Sequence, residues 1–125
     1  MPLQNYKKLR VGQIEDSEVV IVPPPPANRV HYSDAIIFHN ADSSARTLQL
    51  KLYYDDTAYQ IAEVILQAGD TRTLGKGVTI ALDGDFRYIV AVLTTAPGTP
   101  TSFVATYGEQ AQLNPTQEQL GLNNA

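Results

Sequence analysis

Carboxylates occur at two places where their spacing could bind a metal or move a proton. Asp83-Gly84-Asp85 puts hard oxygen ligands at alternate positions, which suits calcium. An EF-hand loop counted from Asp83 needs a glutamate at its twelfth position, but that residue is Thr94. Asp55 and Asp56 are adjacent, and their side chains point in different directions at a strand end, which argues against a shared proton. Both segments are typical of turns, since Asp and Gly tolerate the backbone angles that tight turns require.

A Gly-Lys pair lies within the segment from Gly69 to Gly77, which could be compared with a phosphate-binding loop. The pattern of such loops requires Ser or Thr directly after the lysine, and a helix after that. Lys76 is followed by Gly77, and the next residues are typical of a strand. The segment therefore does not predict nucleotide binding.

The histidines at positions 31 and 39 flank Ser33 and Asp34, so a hydrolase triad can be imagined. No serine in the chain lies in the glycine pattern of a nucleophile elbow. We interpret His31 and His39 as ordinary strand residues. An enzyme remains one class of function to weigh, and it would need a pocket that gathers one of these histidines with Asp or Ser side chains.

Composition narrows the chemistry further. The chain has 125 residues, no cysteine and two histidines, which excludes disulfides, thiolate metal sites and a cysteine nucleophile. The formal net charge of -4 opposes binding to nucleic acid phosphates. No apolar run is long enough to span a bilayer, and no signal-peptide core follows the N-terminal bases. We predict a non-enzymatic protein, made in the cytoplasm, without cofactor, metal, nucleic acid or membrane partner.

The elements that would position any site are short strands separated by turn residues. A strand with apolar residues on one face has a period of two, as in Leu48, Leu50 and Leu52. Eight runs of strand length lie at Glu18–Val22, Arg29–Tyr32, Ala35–His39, Thr47–Tyr54, Tyr59–Leu66, Val78–Leu82, Phe86–Thr95 and Ser102–Tyr107. Short connections favour antiparallel pairing, so the sequence predicts an all-β fold: a single antiparallel β-sandwich, jelly-roll-like.

Two of the strands, Tyr59–Leu66 and Phe86–Leu93, carry apolar residues on both faces. This composition is typical of a central strand or of one whose outer face meets a partner. A cluster of tyrosines around one hairpin is the other candidate contact. We predict a protein interface that includes Tyr53, Tyr54, Tyr59, Ile61, Ile65, Ile89 and Leu93. As an alternative, the three tyrosines would form a platform for sugars in a carbohydrate- or receptor-binding module.

The two ends of the chain differ from its centre in composition. Residues 1–17 contain few apolar residues and are predicted to be an N-terminal arm, residues 18–108 the sandwich domain, and residues 109–125 a C-terminal arm. Asn114-Pro115 could begin a short helix in the C-terminal arm. The arms would either fray or order against a neighbour, and their predicted contacts are Tyr6, Lys7, Lys8, Arg10, Leu113, Leu120 and Leu122.

The central zone has a distinctive order of strands and turns. A first strand ends in Asn40, an alternating strand runs from Ala45 to Tyr53, and a further strand ends at Gly69. The strand Val78–Leu82, a Gly84-Asp85 turn and a closing segment from Phe103 to Gly108 follow. Over residues 34–108 this order resembles small β-sandwich virion proteins of tailed bacteriophages.

This resemblance implies structural work in a virion. The leading expectation is a capsid decoration or cement protein that forms a symmetric homo-oligomer, with a trimer favoured, and binds the major capsid protein or other virion proteins. The resemblance also admits an accessory protein of the neck, tail or fibre.

Overall fold

The computed structural model describes residues 5–94 and 98–111, and these form two antiparallel β-sheets packed face to face. The described residues contain no helix, which confirms the predicted all-β class. The strands are β1 (Asn5–Ile14), β2 (Val19–Val22), β3 (Arg29–Asn40), β4 (Arg46–Tyr54), β5 (Thr57–Leu66), β6 (Thr71–Leu74), β7 (Ala81–Leu82), β8 (Arg87–Leu93) and β9 (Thr101–Ala111).

The order of strands in the two sheets is that of a jelly roll. Sheet A has the order β1-β9-β3-β6, and β7 pairs with the part of β3 that precedes its pairing with β6, so β6 and β7 together occupy one edge. Sheet B has the order β2-β8-β4-β5. Apart from the β4–β5 hairpin and the β6–β7 link, each connection crosses from one sheet to the other, as expected for interleaved Greek keys.

The core lies between the sheets and is built by the alternation within each strand. Phe38 and Phe103 of sheet A face Leu48 and Ile89 of sheet B in one buried cluster. Gly12 is required where β1 passes over this cluster, because a Cβ atom there would lie 2.9 Å from the ring of Phe103.

Asn40 fixes the end of β3 to the neighbouring sheet. Its side chain is fully buried, and its Nδ2 lies 2.9 Å from the carbonyl oxygen of Leu66 at the end of β5 and 3.0 Å from that of Ser44. Its Oδ1 accepts a hydrogen bond of 2.9 Å from the backbone N–H of Asp42. The polar turn predicted after Asn40 is therefore held by Asn40 itself.

The structure changes several predicted elements. The runs predicted at Arg29–Tyr32 and Ala35–His39 form one strand, β3, with an irregular register between Ser33 and Ile36. The run predicted at Val78–Leu82 shrinks to the two residues of β7, and β6 was not predicted.

The N-terminal segment differs most from the prediction. Residues 5–14, placed in an arm over residues 1–17, form β1 and pair with β9 through ten consecutive positions. Alternation within β1 puts Gly12 and Ile14 against the core, so one face of the end of this strand is buried by the rest of the same chain. β9 continues to Ala111, beyond the predicted boundary at residue 108. The predicted helix at Asn114 and the contacts at Leu113, Leu120 and Leu122 lie outside the described residues.

Candidate interaction surfaces

Arg87 contacts a carboxylate in each of the two predicted turns. Arg87 donates to Asp55 Oδ2 at 3.2 Å and also contacts Asp83, and its guanidinium lies 3.9 Å from the ring centre of Tyr54. Hydrogen bonds to Asp55 and Asp83 raise the pKa of Arg87 further above its usual value. Asp55 and Asp56 have φ angles of 49° and 68°, the left-handed conformation of a tight hairpin turn. Within residues 5–94 and 98–111, no three acidic or histidine side chains are grouped to hold a metal ion.

The two histidines lie eight residues apart on β3, and the structure does not bring them together. His31 is buried, with Nδ1 2.8 Å from the carbonyl oxygen of Pro23 and Nε2 2.8 Å from Glu109 Oε1. The hydrogen bond with His31 holds the pKa of Glu109 below its usual value. Both ring nitrogens of His31 are therefore engaged, one by the Pro23 carbonyl and the other by the Glu109 carboxylate. His31 therefore links β3 to the segment after β2 and to β9, which is a structural role.

The outer face of sheet A carries an exposed apolar patch. Val104 pairs with Val11 of β1 on one side and with Ile37 of β3 on the other, so the three side chains form a row across the sheet. Val11 and Ile37 are 63% and 42% exposed, and Leu9, two residues from Val11 on the same face, is 64% exposed. We call Leu9, Val11, Ile37 and Val104 the sheet A patch.

The outer face of sheet B is covered by its own polar side chains. Lys51 of β4 donates to Glu18 at 3.1 Å, and the Tyr53 hydroxyl donates to the other oxygen of Glu18 at 2.6 Å. Glu18 directly precedes β2, and β8 lies between β2 and β4, so these contacts cross above β8. Val90 and Val92 of β8 point to this face and are only 2% and 9% exposed.

The predicted tyrosine platform is not formed as one surface. Tyr53 lies on the outer face of sheet B, where its ring stacks on Tyr88 at 4.9 Å between centres. Tyr54 follows it in β4 and points the opposite way, with its ring against Arg87. Tyr59 pairs with Leu52, which places it on that second face at the sheet edge, 53% exposed.

Two predicted interface residues are buried in the core. Ile89 and Leu93 are 1% and 2% exposed and belong to the cluster between the sheets. The prediction that they face a partner is wrong, since the two-sided apolar pattern of β8 reflects its central position between β2 and β4. Ile61 and Ile65 on β5 are 40% and 56% exposed, so their side chains remain accessible.

The predicted basic contacts lie on β1. Arg10 donates from Nε to the carbonyl oxygen of Val20 at 2.8 Å, which joins the β1 edge of sheet A to the β2 edge of sheet B. Lys7 lies 3.9 Å from Asp34 on the surface. Lys8 is exposed, and Tyr6 is 44% exposed. These residues sit on a folded edge strand and not on a free arm.

The opposite flank of the sandwich is open. Between β5 of sheet B and the β6–β7 edge of sheet A lies an apolar cleft of about 360 Å³. Its walls include Leu50 and Ala62 from sheet B and Ile36 from sheet A, and Ile61 and Val78 also line it. Ile61 reaches the cleft from a bulge, because Leu50 pairs with Ala62 while Lys51 pairs with Gln60. We call this side of the molecule the open flank.

Sequence reasoning missed the sheet A patch, although a signal was present. Leu9 and Val11 alternate with Lys8, Arg10 and Gly12, which is the period of a strand. The bases in that stretch suggested an arm instead. Ile37 lies in the apolar run Ile36-Ile37-Phe38, which in a strand must place one side chain on the outer face.

Comparisons with known proteins support the fold. No family model matches the chain, and no curated protein matches it. The Tobacco streak virus coat protein superposes with a TM-score of 0.51 over 92% of this chain and 90% of that chain, at 13% identity. Bacillus endospore appendages, described as disulfide-linked pili, give a TM-score of 0.51 over 89% of both chains, at 10% identity. At these identities the likeness shows a shared jelly-roll-like sandwich. No helix in the described residues is long and apolar enough to cross a membrane.

Proposed function

We propose that the protein is a non-enzymatic structural subunit of a bacteriophage virion, a decoration or cement protein that binds the capsid surface. The observation that carries this proposal is the sheet A patch: a row in which the exposed Val11 and Ile37 flank the half-buried Val104 on the outer face of a jelly roll. Contiguous apolar side chains on a protein surface are typical of sites of protein–protein contact. The likeness of the fold to a virus coat protein supports the same class of function by analogy.

In this proposal the sheet A patch lies against the major capsid protein, or against another virion protein in a neck, tail or fibre. Burial of the patch supplies the free energy of binding, and the symmetric arrangement of copies on a shell multiplies it through avidity. Lys7 lies on the same face as the patch, at its β1 edge, where it can contact acidic groups at the rim of an interface.

The proposal is tested by co-sedimentation of the purified chain with capsids of the phage that encodes it. Wild type should pellet with the capsids, and the double variant Leu9→Lys/Val11→Lys should remain in the supernatant. Both residues are largely exposed, so we expect thermal unfolding to be unchanged. Failure of the wild-type chain to bind capsids contradicts the virion proposal, while equal binding of the two proteins contradicts the role of the patch.

A second candidate is a subunit of a surface fibre, which the likeness to endospore pili favours. Those pili are described as disulfide-linked, whereas this chain has no cysteine, so its fibres would depend on noncovalent contacts alone. Immunogold labelling distinguishes the two, because a label along cell-surface fibres supports this candidate and a label on phage particles supports the first.

A further inference from the structure

The four edges of the two sheets differ in how they are protected against pairing with another chain. An edge strand presents unpaired N–H and C=O groups, and proteins usually block it with lysines, prolines, interruptions or short length. β1 carries Lys7, Lys8 and Arg10. β2 has four residues and runs directly into four prolines, Pro23–Pro26. The β6–β7 edge consists of four and two residues.

The fourth edge, β5, lacks these features. It is ten residues long, contains no proline, glycine or lysine, and Glu63 is its only charged residue. Seven of its ten residues are apolar, yet most of the strand is exposed, including Tyr59 at 53% and Ile65 at 56%. A long and nearly uncharged edge of this kind pairs readily with another strand.

The apolar cleft lies on the same flank and points to the same contact. Ile61 and Val78 stand at the cleft, 40% and 62% exposed, next to the free edge of β5. A second molecule that extended sheet B beyond β5 would bring its own cleft against this one. Backbone pairing and burial of apolar side chains would then occur together on one flank.

We propose that two copies of the chain pair antiparallel through β5, which joins their B sheets into one eight-stranded sheet and closes the two clefts against each other. The same strand is used by both copies, so the contact has two-fold symmetry. Glu63 is the only charge on β5, so only a register that sets Glu63 against itself is repulsive. The N-terminal strand of a neighbour is not free to fill the position, because β1 already pairs with β9 of its own chain.

The bulge at Ile61 interrupts the regular edge and limits which part of β5 can pair. It leaves the segments on either side of it, Thr57–Gln60 and Ala62–Leu66, regular against β4. Leu66 is fully buried and its carbonyl is bonded by Asn40, so pairing is confined to the residues before it. This contact adds an interface between copies to the capsid contact of the proposed function, and it predicts a dimer where the resemblance favoured a trimer.

The test is sedimentation-velocity ultracentrifugation of the isolated chain over a range of concentrations. Wild type should be a dimer, and Tyr59→Lys/Ile65→Lys, which copies the protection found on β1, should raise the dissociation constant by about 100-fold or more. The matched control Gln13→Lys/Ser17→Lys adds the same charge at exposed positions near the opposite flank and should change the constant by less than about threefold. A monomeric wild type, or an oligomer unaffected by the β5 lysines, overturns the proposal.

Because the chain has no native cysteine, single-cysteine variants give a second measurement. Of Ala58→Cys, Gln60→Cys and Glu63→Cys, the variant whose cysteine lies at the two-fold axis should form disulfide dimers faster than Gln13→Cys at the same concentration, because only there do the two copies of one residue meet. Equal rates for all four variants contradict the proposal. Deletion of residues 112–125 should leave the dimer intact, and loss of the dimer on deletion would assign the contact to that segment instead. Capsid co-sedimentation measures binding through the sheet A patch, whereas ultracentrifugation measures pairing through β5. A failure of β5 pairing and a failure of the proposed function are therefore distinguishable.

Discussion

The outer faces of the two sheets both carry valines, but only one sheet covers them. On sheet B, Val90 is 2% exposed because it lies beneath the contacts that Lys51 and Tyr53 make with Glu18. On sheet A, Val11 is 63% exposed, and its neighbours in the row are Val104 and Ile37. The difference shows that an apolar residue on an outer face does not by itself indicate a partner. What indicates a partner is an apolar row that the chain leaves uncovered.

The largest expected effect comes from replacing one valine on the outer face of each sheet with aspartate. Val90→Asp should lower the free energy of unfolding by about 3 kcal/mol or more, because a charge is then buried under side chains that already pair with each other. Val11→Asp should change it by less than about 0.5 kcal/mol, because the side chain is already in water. Urea denaturation followed by circular dichroism measures both. Similar losses in the two variants would contradict the comparison.

The two faces also differ in how far the sequence could predict them. The period of two in β4 predicted a sandwich, and the two-sided composition of β8 predicted either a central strand or one that meets a partner, since burial on both faces requires apolar residues on both faces. The sequence could not distinguish a β8 side chain in the core, such as Ile89, from one on a contact face. That distinction depends on which face of β8 packs against sheet A, while the other face is covered by contacts with Glu18, which is distant in sequence from β8.

β1 is a strand that local sequence did not predict. Local composition predicted an arm because bases dominate residues 7–10, whereas the strand is specified by its long-range pairing with β9. Strand propensity is weak where the stabilising contacts come from cross-strand neighbours far along the chain. The turns were predicted well for the converse reason, since the φ angles at Asp55 and Asp56 are set by local chemistry.

A smaller effect is expected from removing the tyrosine that covers sheet B. Tyr53→Leu removes the stack on Tyr88 and the hydrogen bond to Glu18, and should destabilise the protein by about 1 to 2 kcal/mol. The matched control is Tyr6→Leu in β1, an exposed tyrosine (44%) for which the expected loss is below about 0.5 kcal/mol. If Tyr6→Leu costs as much as Tyr53→Leu, the stack and the hydrogen bond of Tyr53 do not stabilise the cover on sheet B.

The smallest expected effect is the pH dependence of the contacts that cover sheet B. The hydrogen bond from Tyr53, aided by Lys51, holds the pKa of Glu18 below its ordinary value of 4.5. A carboxyl group with a lowered pKa in the folded state stabilises the protein above the ordinary pKa, and this contribution is lost as the pH falls through the lowered value. The pKa of Tyr53 is raised by the same bond, so the tyrosine still donates at neutral pH.

The difference in melting temperature between wild type and Glu18→Gln should therefore be largest near neutral pH and should shrink as the pH falls through the lowered pKa of Glu18. Other acidic groups, including Glu109, titrate equally in both proteins and cancel in the difference. Asp34→Asn removes the carboxylate near Lys7 at the edge of sheet A, where the two groups are 3.9 Å apart and well exposed. Exposed ion pairs of this kind contribute little, so Asp34→Asn should leave the melting temperature at neutral pH almost unchanged. A loss from Asp34→Asn as large as the loss from Glu18→Gln would show that the contacts of Glu18 stabilise the protein no more than an exposed pair does.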